Sequence, residues 1–330
     1  MHRVSIVIPV YQGELTLAPL IEEISPFAAP TLTSDGHEFQ VIELLLVHDH
    51  GPDRSDKVIR QLAERYKFIR PIWLSRNFGQ HPATLAGMAS SSGDWIVTMD
   101  EDGQHNPADI GKFLDVALRT NSQLIYAEAL NRSPHSMLRN FSSRVVKWIF
   151  STFLSNGGEG TFESYRMTLG EIGRSVAAYA GSGVYLDVAL GWVVGSTATC
   201  QVLLRNTNAR RSGYSPRKLL AHFWNLVISS GTRPLRMVSG LGALFAIGGI
   251  GFAIYLVVIR LTAHSTPQGW TSTMVLVLIS TGAILFALGV IAEYVGVAVS
   301  MAMGKPLYLI VSDPRDSSLG GQQSDTPSPR

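Results

Sequence analysis

Three acidic residues in a row, Asp100-Glu101-Asp102, follow the apolar run at 95–99. Carboxylates at positions i and i+2 just past a strand can converge on one ion. Hard oxygen ligands of this kind suit Mg2+ or Mn2+, which commonly bridge to substrate phosphates. Gln104, two residues further, adds another oxygen. Alone, an acidic triplet in a loop is more often a solvated turn. Here a strand precedes it, Gln104 and Pro107 follow, and a second acidic loop at 48–53 closes an earlier apolar run. A basic set lies downstream. Arg205, Arg210, Arg211, Arg217, Lys218, Arg233 and Arg236 share a stretch with no Asp or Glu. Such a stretch suits phosphates or an anionic membrane surface, with a solvated basic face as the plainer alternative.

The elements that position these residues follow from periodicity. Short β-rich runs at 4–10, 41–47, 69–74, 95–99 and 124–127 alternate with helical patterns at 15–24, 56–66 and 80–89. Strands alternating with helices imply βαβ units, an α/β fold and a mainly parallel sheet. Ligands of such sheets bind beyond the carboxyl ends of the strands, where the loops at 48–53 and 100–105 both lie.

The last third changes character. Residues 237–259 are apolar without interruption between Arg236 and Arg260. At 1.5 Å per residue they extend about 34 Å, enough for a hydrocarbon core of about 30 Å. A second stretch runs over about 274–296. A pair of buried core helices is the alternative, disfavoured by length and lack of charge. The basic residues lie before the first span and after the second, which predicts both ends inside and a multi-pass inner or plasma membrane protein with a cytoplasmic catalytic domain. Segments 139–154 and 216–230 carry basic and aromatic residues at helical spacing, a pattern of interfacial helices or of ordinary core packing. The expected organisation is therefore a cytoplasmic domain over 1–232, two transmembrane helices within 233–304, and a largely disordered tail over 305–330. Gly240, Gly248, Gly249 and Gly251 would let spans pack closely, within the chain or in a homo-oligomer.

Cys200 is the single cysteine, which excludes an intrachain disulfide and a cysteine-based zinc site. The formal net charge of +2 is uninformative, and no nucleic-acid motif is present, so nucleic acid is not an expected partner.

Taken in order, the motifs resemble the family-2 inverting glycosyltransferases, in particular the membrane-bound polyprenyl-phosphate glycosyltransferases of the dolichyl-phosphate mannose synthase and bactoprenol glucosyltransferase type. Val7-Ile8-Pro9-Val10-Tyr11-Gln12-Gly13-Glu14 is similar to the family's strand and Pro-x-Tyr-Asn-Glu turn. His48-Asp49-His50-Gly51-Pro52-Asp53 stands for Asp-Asp-Gly-Ser-x-Asp. Ser75-Arg76-Asn77-Phe78-Gly79 matches a Ser-Arg-Asn-Phe-Gly segment, and Asp100-Glu101-Asp102-Gly103-Gln104 stands for Asp-Ala-Asp-Leu-Gln. Ser164-Tyr165-Arg166 and Ser212-Gly213-Tyr214-Ser215-Pro216-Arg217-Lys218-Leu219 resemble further elements, and the likeness extends to about residue 312.

The resemblance implies a GT-A-type domain that binds a UDP- or GDP-linked sugar with Mg2+ or Mn2+. Pro9, Tyr11 and Glu14 would line the nucleotide pocket and Asp49 would contact the base or ribose. Asp100 and Asp102 would be the catalytic pair, holding the metal with Gln104 on the donor diphosphate. Arg132, Arg139, Ser143 and Arg217 would meet the acceptor phosphate, and Arg210 and Arg211 the donor phosphates. The sequence departs from the family at His48, where the first Asp of a pair often stands, and at Gly13, Ser164 and Gly213. The implied reaction is an inverting displacement onto a polyprenyl phosphate in the membrane, for cell-envelope or lipid-linked sugar synthesis. That acceptor is already an anion and needs no strong base. A hydroxyl acceptor would need one, with Glu163 or Asp187 as candidates. A non-catalytic accessory protein that keeps the sugar-nucleotide fold is the reading from another class.

Overall fold

The computed structural model describes residues 1–131, 164–181, 185–205, 269–304 and 306–316, with scattered helical positions between 238 and 258. It divides into two units, residues 1–213 with 306–330, and residues 214–305.

The first unit is an α/β domain around one sheet. Its described strands are β1 (His2–Val10), β2 (Thr31–Leu32), β3 (Glu38–His48), β4 (Ile69–Leu74), β5 (Trp95–Thr98), β6 (Leu124–Ala129), β7 (Arg166–Leu169), β8 (Thr197–Val202) and β9 (Ile310–Val311). Their order is β8-β6-β7-β5-β1-β3-β4-β9, with β2 beside β3. The long ladders are parallel: β1 with β3 and β5, β3 with β4, and β6 with β8. The expected mainly parallel sheet is present, with an addition the sequence did not reveal. β7 lies antiparallel between β5 and β6.

Continuous apolar runs form these strands because both faces are covered. In β1, Ile6 and Ile8 face the helices α1 (Leu17–Ile24), α2 (Ser55–Arg65) and α4 (Ile110–Thr120), in a cluster with Leu44, Leu46, Ile59 and Phe113. Val7 points the other way, into a cluster with Leu45, Val47, Leu85, Ala86 and Val176. Leu85 and Ala86 come from α3 (Gln80–Ser90), and Val176 from α5 (Gly170–Tyr179). α6 (Leu186–Val193) completes this side. Successive strand residues alternate between the two layers, so one short run supplies both cores.

The C-terminal segment departs from the expected loose tail. β9 pairs antiparallel with β4, and the Ser75 amide donates to the Leu309 carbonyl at 3.0 Å. Arg60 then grips Asp313 with two nitrogens, Nε to Oδ2 and Nη2 to Oδ1, each at 2.8 Å. Its Nη1 reaches Asp56 Oδ2 at 2.6 Å, and its guanidinium lies 4.6 Å from the Trp73 ring centroid. Residues 306–316 therefore belong to the first unit, and 317–330 lie outside the described residues.

In the second unit, α7 (Trp270–Ala302) is a 33-residue helix. Its apolar portion Ile279–Val299 is long enough to cross a membrane and only 6% of it is buried, which argues against a core helix. The expected second span is thus a helix with these properties, interrupted by one charge at Glu293. Most of the expected first span, 237–259, lies outside the described residues, although 247–252 are helical.

Candidate active site

Adjacent parallel strands deliver three loops to one end of the sheet: the β1–α1 loop, the β3–α2 loop and the loop after β5. Backbone bonds carry the ladders into the loops. The Met99 amide donates to the Val7 carbonyl at 3.1 Å, and the Asp49 amide to the Val10 carbonyl at 2.8 Å.

Asp100 is held on both oxygens. Gln80 Nε2 donates to Oδ1 at 2.7 Å, and Ser164 Oγ to Oδ2 at 2.6 Å. Its own amide donates to His105 Nδ1 at 3.0 Å, which leaves the ring proton on Nε2. The His105 ring stacks on Tyr165 at 4.7 Å, and Tyr165 Oη donates to the Asn106 carbonyl at 2.7 Å. Asp102 Oδ1 accepts from the Gln104 amide at 3.0 Å, closing a turn that Gly103 permits with φ 74°. Arg205 braces the same loop. Its amide donates to the Gln104 carbonyl at 3.0 Å, Nη2 to Asn106 Oδ1 at 2.8 Å, and Nη1 to Glu23 Oε2 at 2.6 Å. The sequence does not mark Gln80 and His105 as site residues, and it places Arg205 only in a basic stretch suited to phosphates or an anionic membrane surface. Gln80 carried a signal, since it directly follows the Ser-Arg-Asn-Phe-Gly segment.

Pro9 lies within β1, paired with Val47. Tyr11 follows and is 43% exposed. The loop after it is fastened at several points. Glu101 accepts from the Tyr11 amide at 3.0 Å and from the Gln12 amide at 2.9 Å. The Gly13 amide donates to Ser55 Oγ at 2.8 Å, and the Glu14 amide to Asp53 Oδ2 at 3.0 Å. The Glu14 carboxylate, expected to line the nucleotide pocket, accepts from the Arg54 amide at 3.1 Å. Burial pushes the Asp53 carboxyl up, but the Ser55 hydroxyl and the amides of Glu14 and Ser55 outweigh it and hold it below the usual carboxylate value.

Asp49 was expected at the base or ribose. It is 3% exposed, and its oxygens accept from the amides of Phe78 at 2.7 Å and Gly79 at 2.8 Å. Burial pushes its carboxyl above the usual range, and these amides pull it only partly back. Asp49 therefore anchors the turn that leads into α3 and Gln80. His48 packs against Trp73 with ring centroids 5.3 Å apart. Burial keeps it below the ordinary histidine value, and its Nε2 is buried with no hydrogen-bond partner among the described residues. His50 takes φ 54° where the family pattern has glycine. At the next position, Gly51, a Cβ would fall 1.5 Å from the Tyr11 carbonyl oxygen, so that close approach requires glycine.

Behind Ser164, Thr98 Oγ1 donates to the Ser164 carbonyl at 2.6 Å and receives a bond from Arg166 Nε at 3.1 Å. Arg166 is buried and paired with Asp187, whose Oδ1 also accepts from Tyr126 Oη at 3.0 Å. Burial disfavours the Arg166 charge, but Asp187 and Tyr126 outweigh it and raise its pKa.

The donor set fits a divalent cation with incomplete protein coordination. Asp100 and Asp102 supply hard oxygens from one loop, and Gln104 stands two residues on. Among the described residues, no group of three or more His, Cys, Asp or Glu side chains forms a metal cage. Mg2+ characteristically takes one or two carboxylates and completes its shell with waters and substrate phosphates. Arg132, Arg139, Ser143, Glu163, Arg210, Arg211 and Arg217, with the two expected interfacial helices, lie outside the described residues.

The mostly parallel sheet carries acidic loops at its carboxyl end, and the family match supplies the class of protein. The model of glycosyl transferase family 2 matches residues 5–171, and the chain belongs to that family, with a GT-A-type α/β fold. Undecaprenyl-phosphate 4-deoxy-4-formamido-L-arabinose transferase of Photorhabdus laumondii subsp. laumondii is 29% identical over 98% of this chain and 98% of its own. The protein so named in Yersinia enterocolitica serotype O:8 is 30% identical, covering 94% of this chain and 93% of its own. Among solved structures, mannosyl-3-phosphoglycerate synthase from Rubrobacter xylanophilus aligns with TM-score 0.48 and 13% identity, over 72% of this chain and 74% of that one.

Proposed function

We propose that this protein transfers a sugar, with inversion, from a nucleoside diphosphate to the phosphate of an undecaprenyl-type lipid. The observation that carries this reading is the place of Asp100 and Asp102 in the loop after β5, beside the loop at 11–14, which separates them from the loop at 49–53. The chain that bears them is collinear with undecaprenyl-phosphate sugar transferases over nearly its whole length. The geometry also suits an anionic acceptor. Asp187, one of two carboxylates suggested as a base for a hydroxyl acceptor, is committed to Arg166 and Tyr126.

Asp100, Asp102 and Gln104 would hold Mg2+ or Mn2+, which when bound would neutralise charge growing on the departing diphosphate. Gln80 and Ser164 fix the Asp100 carboxylate so that it need not reorganise. Asp49 sets the turn that presents Gln80. Glu14, Asp53 and Ser55 fix the loop beside Tyr11, which would face the nucleotide. The acceptor phosphate attacks the anomeric carbon as an anion, so no side chain need take a proton from it. Arg132, Arg139, Ser143 and Arg217 are the proposed acceptor contacts, and Arg210 and Arg211 the donor contacts. α7, paired with the span at 237–259, would anchor a cytoplasmic catalytic unit at the headgroup level of a bacterial inner or other plasma membrane.

The test is incubation of the purified full-length protein in nanodiscs with undecaprenyl phosphate and a panel of UDP- and GDP-sugars, with mass spectrometry of the lipids. A sugar-phosphoryl-undecaprenol product is expected with one donor and divalent cation. Transfer to a hydroxyl acceptor in place of the lipid would overturn the proposal.

A further inference from the structure

We infer that Glu101, the middle residue of the acidic triplet, is a positioning residue that couples cation binding to nucleotide binding. The inference rests on the transferase reading above and goes beyond its ligand set.

Alternate residues of the triplet do different work. Asp100 and Asp102 belong to the proposed cation site, whereas Glu101 reaches across to another strand's loop. Its Oε2 accepts from the Tyr11 amide at 3.0 Å and its Oε1 from the Gln12 amide at 2.9 Å. One carboxylate thus bridges two successive amides, with charge-assisted bonds that fix both position and orientation. Those amides belong to the segment whose side chain, Tyr11, is proposed to face the nucleotide.

Gly13 belongs to the same arrangement. A Cβ there would lie 2.8 Å from Glu101 Oε2 and 2.7 Å from Leu17 Cγ. The departure from an acidic residue at position 13 thereby acquires a physical reason: a side chain would collide with the Glu101 carboxylate and the first turn of α1. The second departure, Glu101 where the family pattern has alanine, is the other half of the same fit. On the far side, the Tyr11 carbonyl packs against Gly51. Tyr11 is therefore gripped from the cation loop through its nitrogen and abutted by the β3–α2 loop through its oxygen.

Residues 100 and 102 flank the residue that holds Tyr11, so any shift of that loop on cation binding is transmitted to the nucleotide side through a rigid two-point contact. By linkage, the factor by which the cation changes nucleotide affinity is also the factor by which the nucleotide changes cation affinity.

The experiment is calorimetric titration of the full-length protein in nanodiscs with UDP and with GDP, each with and without Mn2+. The readout is the ratio of nucleotide affinities with and without the cation, for wild type, Glu101→Ala, Glu101→Gln and Gly13→Ala. Thermal unfolding reports folding separately. Glu101→Ala is expected to reduce that ratio by about tenfold, within the usual range of coupling between sites. Gly13→Ala is expected to do the same with the carboxylate still present. Glu101→Gln, which offers one acceptor oxygen to two amides, is expected to fall between, and decides the matter if the alanine variant does not fold. Folded variants that keep the wild-type ratio overturn the inference and leave the transferase reading standing. A wild type that binds neither nucleotide under either condition overturns both.

Discussion

Ser164 Oγ donates to Asp100 Oδ2 at 2.6 Å, so a residue that departs from the family pattern serves here to hold the first aspartate of the acidic loop. This hydroxyl-to-carboxylate bond is charge-assisted, and losing such a bond is worth about 1.5–3 kcal/mol. Ser164→Ala is expected to lower kcat/KM by about ten- to a hundredfold at 25 °C. Asp100→Asn, which removes a charge proposed to act on the diphosphate, is expected to lower it by about 10²–10³-fold. Steady-state assays of lipid-linked product check both, and equal effects would show that Ser164 does more than orient.

Asp49 makes a different prediction because it is buried with its oxygens on two amides. Asp49→Ala leaves the amides of Phe78 and Gly79 without that acceptor, and such a loss is worth about 1–3 kcal/mol of stability. The thermal midpoint should fall, and the donor KM should rise because the turn before Gln80 loosens. A variant with normal stability and a selective loss of nucleotide binding would restore direct base or ribose contact as its role.

The Arg166–Asp187 pair separates a brace from a base. Removing one partner of a buried ion pair commonly destabilises by about 3–5 kcal/mol, whereas replacing both with apolar residues is often neutral. Asp187→Ala should therefore unfold at markedly lower temperature, and Asp187→Ala with Arg166→Met should recover much of that loss. Recovery of activity along with stability is the expected result. A stable but inactive double variant would identify a chemical role for Asp187.

Stability should also depend on pH through Asp313. The bonds from Arg60 hold its carboxyl below the usual aspartate value, against a smaller opposing effect of burial. A depressed folded value means that the stabilisation is complete above the unfolded value, near pH 4, and is lost as pH falls through the folded one. Asp313→Asn should destabilise by about 1–2 kcal/mol at pH 7. The difference from wild type should shrink on acidification. Hydrogen exchange at β4 and β9 reports it locally.

The strands that carry the site were legible because each is an apolar run closed by a polar loop. Residues 4–10, 41–47, 69–74 and 95–99 became β1, β3, β4 and β5 with shifts at their ends. β7 was not legible. It has four residues and begins with Arg166, a charge tolerable there only because Asp187 meets it from α6. β9 has two residues and exists because β4 offers an open edge. Asp100 and Asp102 stood out by type and spacing. The contacts of Glu101 and Asp49 run to residues 89–90 and 29–30 positions away, and no local pattern encodes them.

The pairing of β9 with β4 has a consequence for how the chain can be divided. Residues on both sides of the unit at 214–305 belong to one unit, so 214–305 is an insertion within the enzyme. Cutting before residue 214 would strip β4 of β9 on one side and leave an unpaired edge, an invitation to aggregation. A water-soluble version of the catalytic unit calls for excision, with residue 213 joined to residue 306 by a flexible linker so that the closing strand is retained.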